Sequence, residues 1–172
     1  MPSISANMLV KNEARWVWYA IQSVLPYVDE LIVFDTGSVD ETPDIIAGIV
    51  DPKIRFERRS SVSAEEFPHL RQEQISKSRG DWILLVDGDE IWWKSGVEHF
   101  RRLVSDIDAS GANIRSVYLR YWQCVWDVYH YVPERYGRVR IGPHKGFYNL
   151  RAFRWSFALL GAGMGLEAEW AD

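Results

Sequence analysis

The sequence predicts an α/β domain: a mostly parallel sheet flanked by helices, followed by a β-rich, aromatic second half. Three observations predict it. Short apolar runs alternate with stretches of helical periodicity through residues 4–92. Two of those runs end directly in carboxylates, at Asp35 and at Asp87-Gly88-Asp89-Glu90. From about Ile114 onward the helical spacing gives way to alternation rich in Tyr and Trp. Strands alternating with helices in this manner make successive βαβ units with right-handed crossovers.

Each element has its own warrant. Ile4 to Val10 reads as the first strand, and Asn12 is placed to cap the helix after it, with Glu13 in the first turn. Val17, Ala20, Ile21, Val24 and Leu25 fall on one helical face, and Pro26 and Asp29 close that helix. Leu31 to Phe34 is a second buried strand ending at Asp35-Thr36-Gly37-Ser38. Thr42 is the expected cap of the next helix, with Pro43 at its first position and Asp44 near its positive end. Ile54 to Arg58 alternates like a third strand, and a helix through Leu70 and Ile75 is expected to stop at Gly80. The apolar run Trp82 to Val86 is too short for a typical helix and reads as a buried strand of a parallel sheet. Ser95-Gly96-Val97-Glu98 has the form of a capping box, opening a helix with Val97, Phe100, Leu103, Val104 and Ile107 inward. Val117, Leu119 and Tyr121 then alternate with Tyr118, Arg120 and Trp122, and Cys124 to Val132 reads as a further strand. There are no internal repeats or low-complexity tracts.

A chain of 172 residues fits one domain, 1–172, with a substantial core. Hydrophobic content of 47% and charged content of 26% are those of a folded protein. The formal net charge of −4 argues against general nucleic-acid binding. Cys124 is solitary, which excludes an internal disulfide and fits a reducing compartment. No charged-then-apolar leader opens the sequence. The longest nonpolar run, Phe157 to Leu166, falls short of the roughly 20 residues a membrane helix needs. The expectation is a cytoplasmic protein with no transmembrane segment.

Ligands of open α/β sheets bind just outside the carboxyl ends of the strands. Lys11-Asn12-Glu13, Asp35 and the Asp87–Glu90 acids all belong to that edge, and Arg71 lies on the helix leading into the fourth strand. Carboxylate oxygens suit hard cations such as Mg²⁺ or Mn²⁺, which bring substrate phosphates with them. Three acids this close repel one another unless a cation or hydrogen-bond donors sit among them. One acid per strand end plus an arginine suits a nucleoside diphosphate with its metal. Asp35 would accept hydrogen bonds from a base or ribose, and Arg71 would clamp base or phosphate oxygens in two-pronged fashion. Each has a purely structural alternative: an acidic turn capping the next helix, a turn residue at Asp35, and a surface ion pair at Arg71 worth under about 1 kcal/mol.

Met8-Leu9-Val10-Lys11-Asn12-Glu13, Asp29 to Thr42, Leu70-Arg71-Gln72 and Gly80 to Glu90, in this order, resemble family 2 glycosyltransferases. The resemblance is strongest to the bacterial lipopolysaccharide-core and peptide S-glycosyltransferase type and covers roughly residues 4–92. It implies the GT-A (Rossmann-like) fold, a UDP- or GDP-linked sugar donor, and a divalent cation, Mn²⁺ or Mg²⁺. It also implies transfer with inversion to an acceptor hydroxyl. By the same resemblance Asp35 contacts the nucleoside, Arg71 the base or diphosphate, and Asp87 and Asp89 the ribose and metal. Lys11, Asn12, Glu13, Thr36, Gly37 and Gly88 then surround the nucleotide sugar. Where the family has Asp-Ala-Asp-Glu, this chain has Gly88, a departure that keeps the carboxylates. Residues 1–92 become the nucleotide-sugar and metal half, and 93–172 an acceptor-side half shorter than in many relatives.

The second half yields weaker candidates. Tyr148 to Arg154 loosely resembles the family's Arg-Leu-Phe-Arg strand, but the His-Glu pair expected after it is not evident. Glu167 and Glu169 are candidates for the catalytic base, as are Glu90 and Asp127; solvated helix charge is the structural alternative for the first two. His144 is a candidate third metal ligand, or else a loop histidine. Trp92 and Trp93 follow the acids directly and are candidates to stack on an acceptor sugar, with Trp122 and Trp126 behind them; core packing is the more frequent fate of Trp. Between Arg115 and Arg154 eight basic residues face only Asp127 and Glu134. That excess would suit the donor diphosphate or an anionic acceptor such as a phosphorylated sugar or lipid headgroup, or else be a solvated face. The acceptor class is therefore a carbohydrate or anionic glycolipid.

Rival functions are a nucleotidyltransferase, a haloacid-type phosphatase and a non-catalytic nucleotide- or sugar-binding module derived from a glycosyltransferase. The first wants a glycine-rich basic loop after its first strand, which Lys11-Asn12-Glu13 is not. The second wants Thr or Val where Ile91 stands. The third draws its support from the missing downstream base.

Overall fold

Ile4–Val10 forms strand β1, buried at every position because it lies in the middle of the sheet with apolar layers on both sides. Around it stand β2 (Glu30–Asp35), β3 (Ile54–Arg58), β4 (Trp82–Asp87), β5 (Ser116–Arg120) and β10 (Tyr148–Arg154), in the order β3-β2-β1-β4-β10-β5. The first four are parallel; β10 runs antiparallel to β4, and β5 antiparallel to β10. The computed structural model describes residues 1–158 apart from Ser61, Ala64, Trp126 and Gly142. No described helix is long and apolar enough to cross a membrane.

The pleat sorts side chains onto two faces. Ile4, Ala6, Met8 and Val10 join Leu31, Val33, Trp82, Leu84 and Val86 in the larger core. That face is covered by α1 (Val17–Val24), α2 (Thr42–Ala47) and α4 (Lys94–Ser110), through Val17, Ala20, Ile21, Val24, Ile46, Phe100, Val104 and Ile107. The opposite face carries Leu9, Ile32, Phe34 and Ile83 under α3 (Phe67–Ser76), which contributes Leu70 and Ile75. Gln74 of α3 is fully buried there, and its Nε2 donates to the carbonyls of Met8 (2.7 Å) and Ile32 (2.8 Å), pinning the helix to two strands.

Several local expectations give way to tertiary contacts. Asn12 does not cap a helix. It takes a left-handed φ of 57°, its N–H donates to Ser38 Oγ (2.8 Å) and its Oδ1 accepts from Val39 N (2.9 Å). α1 therefore starts only at Val17, whose N–H donates to Glu13 O (2.8 Å). Thr42 is the first residue of α2, not its cap, and its Oγ1 accepts from Glu13 N (2.8 Å). Gly80 does not end α3, which stops at Ser76; a Cβ at Gly80 would lie 2.5 Å from Ser5 N, so glycine there permits close strand approach. The Ser95–Glu98 capping box does not form, since α4 begins at Lys94 without a side-chain cap. Cys124–Val132 is not one strand but an antiparallel hairpin of β6 (Cys124–Val125) and β7 (Asp127–Tyr131). A second hairpin joins β8 (Val139–Ile141) to β9 (His144–Gly146).

β10 carries a register irregularity. Against β5, Leu150 pairs with Tyr118 and Ala152 with Val117, which leaves Arg151 as the extra residue of a bulge. As a result Leu150 and Phe153 pack in the same cluster, although a regular strand would place them on opposite faces.

Candidate active site

β1 ends between two acids: Val10 pairs with Asp35 of β2, and Leu9 pairs with Asp87 of β4. Both carboxylates thus stand at the carboxyl edge, one strand on either side of β1. They differ in surroundings. Asp35 is fully buried and follows the parity of Leu31 and Val33. It accepts from Ser38 N (3.2 Å) and from Ser38 Oγ, and Arg58 Nε lies 3.9 Å away. Thr36 is fastened to the end of β1, its N–H and Oγ1 both donating to Val10 O at 2.9 and 3.0 Å. Gly37 turns the chain at a φ of 94°.

Asp87 follows the other parity, toward α3. Arg71 lies there, half-buried, its Nη1 donating to Asn7 O (3.2 Å) and to Gln74 Oε1 (2.8 Å). Burial holds the Arg71 guanidinium down at about 10; the Asp87 charge opposes that, and a second guanidinium, Arg151, adds to it. Arg151 is only 8% exposed. Its Nη2 lies 3.0 Å from Asp87 Oδ2 and also engages Glu90 Oε1. With the Asn149 amide turned to satisfy both groups, Asn149 Oδ1 accepts from the same nitrogen at 3.1 Å. Burial pushes the Glu90 carboxyl up to about 6, with Arg151 pulling it back and Asp87 adding to the rise.

Between these two groups runs the loop after β1. Glu13 is raised above the usual carboxylate range by burial and by the charges of Asp89, Asp40 and Asp87. Gly88 lies against it: a Cβ at Gly88 would meet Glu13 Cγ at 2.8 Å and Val10 Cγ1 at 3.0 Å. Lys11, Asn12 and Asp89 are exposed. The structure therefore gathers Arg71, Asp87 and Glu90 on one side, with Glu13 and the exposed Asp89 between the two groups. Asp35, Thr36 and Gly37 stand on the other, linked to them through Ser38, Asn12 and Glu13.

Other candidates land elsewhere. Trp92 packs edge-on against Phe100 at 6.2 Å and against the larger core, whereas Trp93 is 66% exposed. Trp122 is half exposed against Tyr131, with ring centroids 4.3 Å apart. Asp127 is committed to its own hairpin, accepting from Tyr129 N (2.8 Å) and His130 N (2.9 Å) and touching the His130 ring. His144 belongs to β9, but its side chain lies outside the described residues, as do Trp126, Glu167 and Glu169. Among the described residues no three His, Cys, Asp or Glu side chains converge closely enough to hold a metal. Two site residues, Gln74 and Arg151, escape reading from sequence. Arg151 carried a signal, a charge between the apolar Leu150 and Ala152, whereas Gln74 follows the polar run Arg71-Gln72-Glu73 and carried none.

The mostly parallel sheet, with acids at its carboxyl edge and arginines among them, shares its fold with GT-A type glycosyltransferases. The chain belongs to glycosyl transferase family 2, whose family model matches residues 5–160. Among curated relatives, the SPbeta prophage-derived glycosyltransferase SunS of Bacillus subtilis is 30% identical over 94 residues, 54% of this chain and 21% of SunS. The succinoglycan biosynthesis protein ExoO of Rhizobium meliloti is 30% identical over 118 residues, 66% of this chain and 32% of ExoO. The chain thus spans at most about a third of the curated relatives it matches. Among solved structures, S. aureus TarS 1-349 in complex with UDP-GlcNAc superposes with a TM-score of 0.60 at 16% identity, covering 90% of this chain and 46% of that one. At that identity the likeness concerns the fold.

Proposed function

We propose that this domain is a glycosyltransferase that moves a sugar from a nucleoside-diphosphate donor, UDP- or GDP-linked, to an acceptor hydroxyl. One observation carries the reading: at the sheet's carboxyl edge the half-buried Arg71, held by Gln74, lies on the α3 side that Asp87 also faces, with one strand between Asp87 and Asp35. Family membership and the fold shared with a UDP-GlcNAc complex support it.

Asp35, with Thr36 and Gly37 beside it, is assigned to the nucleoside. Arg71 is assigned to the diphosphate, on which negative charge grows as the sugar leaves. A fixed guanidinium held by Gln74 stabilises that charge without having to reorganise. A divalent cation, Mn²⁺ or Mg²⁺, fits the donor set. Asp87 and Asp89 offer hard oxygens, and a cation shared with substrate phosphates needs only one or two carboxylates from the protein. The upward push on Glu13 from Asp89 and Asp87 is a repulsion that such a cation relieves. When bound, it supplies Lewis-acid stabilisation of the leaving diphosphate.

Inversion requires a carboxylate to take the acceptor proton. Of the described residues, Glu90 is the candidate, since its partly buried carboxyl stands beside Asp87. For the acceptor we infer a carbohydrate or anionic glycolipid. The exposed rings of Trp93, Trp122, Tyr129 and Tyr136 and the basic excess of residues 115–154 support it. The exposed free thiol of Cys124 agrees with a cytoplasmic setting.

Isothermal titration with UDP and GDP, with and without Mn²⁺, tests the donor and metal assignments together. The expected result is cation-strengthened binding that Asp89→Ala abolishes. Cation-independent binding removes the metal from the proposal, and in a parallel incubation with the matching nucleotide sugar, binding without release of UDP or GDP leaves a nucleotide-sugar-binding module in place of an enzyme.

A further inference from the structure

Arg151 is a guanidinium that the fold goes out of its way to place. It arrives from β10, far along the chain from the acids it meets, and it occupies the bulge where the β10–β5 register slips. Bulges re-aim side chains, often beside active sites. Here the slip between Leu150 and Ala152 leaves Ala152 in one core layer and Phe153 in the other while turning the charge that precedes them onto the acid cluster. Burying an arginine is costly unless its charge is compensated, and Asp87, Glu90 and Asn149 all gather on its Nη2.

Arg71 approaches the same edge from α3: its Nη1 lies 3.2 Å from Asn7 O on the strand beside Asp87, while Arg151 Nη2 lies 3.0 Å from Asp87 Oδ2, and each guanidinium disfavours the charge of the other. Two neighbouring guanidiniums at this edge have carboxylate partners of their own. Arg58 belongs to Asp35, and Arg59 is held by Glu57 and Glu73. Two partly desolvated guanidiniums at one edge match the paired oxygens of a diphosphate better than they match a single carboxylate.

We propose that Arg151 is a donor-binding residue, a second guanidinium that holds the donor's diphosphate together with Arg71 and that Asp87 and Glu90 hold in place until the donor arrives. This rests on the donor reading above and extends it to a residue outside the half of the chain that resembles the nucleotide-binding frame. Binding is then an exchange of ion-pair partners: the diphosphate oxygens replace carboxylate oxygens on Arg151, freeing Asp87 for the cation and Glu90 for the acceptor side. No covalent bond changes in this step.

The test is isothermal titration of uridine, UMP and UDP (or the guanosine series, if the wild type selects it) against wild type, Arg151→Lys and Arg151→Met. Thermal melting of each variant accompanies it. Loss of a charge-assisted contact predicts that Arg151→Met weakens UDP by about 10-fold or more. The uridine affinity should stay within about twofold, since no phosphate contact is lost there. Arg151→Lys should fall between, keeping the charge without the fork, and it decides the question if the Met variant does not fold. Equal losses for uridine and UDP, or UDP binding unchanged while the melting temperature drops, would make Arg151 a structural tie and overturn the proposal. A wild type that binds neither nucleotide overturns the donor reading itself, and this inference with it.

Discussion

Gln74 Oε1 accepts a hydrogen bond from Arg71 Nη1 at 2.8 Å, and the Nε2 of the same amide is anchored on the carbonyls of Met8 and Ile32. One side chain therefore fixes both the helix and the guanidinium it carries. Replacing Gln74 by Leu fills the space but removes these bonds and strands buried partners. The expected cost is about 2–3 kcal/mol in urea denaturation. Nucleotide affinity should fall with it, because Arg71 loses its orienting acceptor. An unchanged midpoint and unchanged affinity would show that Arg71 is set by other contacts.

Gly88 is the second position to probe. A Cβ there would come within 2.8 Å of Glu13 Cγ and 3.0 Å of Val10 Cγ1, so Gly88→Ala must displace Glu13. Overpacking of this kind costs about 1–3 kcal/mol. Shortening the neighbour should recover it: Gly88→Ala with Glu13→Ala is expected to be less destabilised than the sum of the singles, by about 1 kcal/mol. Additive losses in the double-mutant cycle would place the strain elsewhere.

The tandem tryptophans should separate cleanly. Trp92 packs on Phe100 and the larger core, so Trp92→Ala should cost about 3–5 kcal/mol. Trp93 is 66% exposed, so Trp93→Ala should stay within about 0.5 kcal/mol. If a sugar acceptor stacks here, only Trp93→Ala should raise its KM while leaving stability intact. Matched thermal melts and acceptor titrations measure both.

Asp81 supplies a pH dependence. Its carboxylate accepts from Ser3 N and Ser3 Oγ, both at 2.8 Å, and these bonds hold it below the usual carboxylate range. A lowered folded-state pKa favours the ionised form. The contribution is therefore complete above the ordinary value of 3.8 and is lost as pH falls through the folded value. The site is exposed, so its size should be under about 1 kcal/mol. Denaturation at neutral pH and below pH 3.8 should show Asp81→Asn destabilised at the former and converging on wild type at the latter. A constant gap across that range would assign the loss to packing instead of charge.

Much of the first half was legible without coordinates. β1 and β3 coincide with the predicted Ile4–Val10 and Ile54–Arg58, and β2 and β4 extend the predicted runs only to include their flanking acids. The reason is local: β2 and β4, in the sheet's interior, carry continuous apolar runs that stop where the polar edge begins, while β3, at the sheet's margin, alternates. The inward face of α1 follows from its spacing in the same way, since Val17, Ala20, Ile21 and Val24 are all buried. The chain's own pattern thus determined which residues reach the carboxyl edge.

Which of those residues meet was settled only by the tertiary structure. The pleat sends Asp35 toward Ser38 and Arg58 and sends Asp87 toward Arg71, a division that depends on strand parity in the assembled sheet. Asn12 abandons helix capping because Ser38 and Val39, distant in sequence, offer its polar groups partners. Arg151 joins the acids because β10 inserts beside β4 with a slipped register. Register, parity and long-range hydrogen bonding arise from pairing between distant segments, so the alphabet of one segment does not contain them.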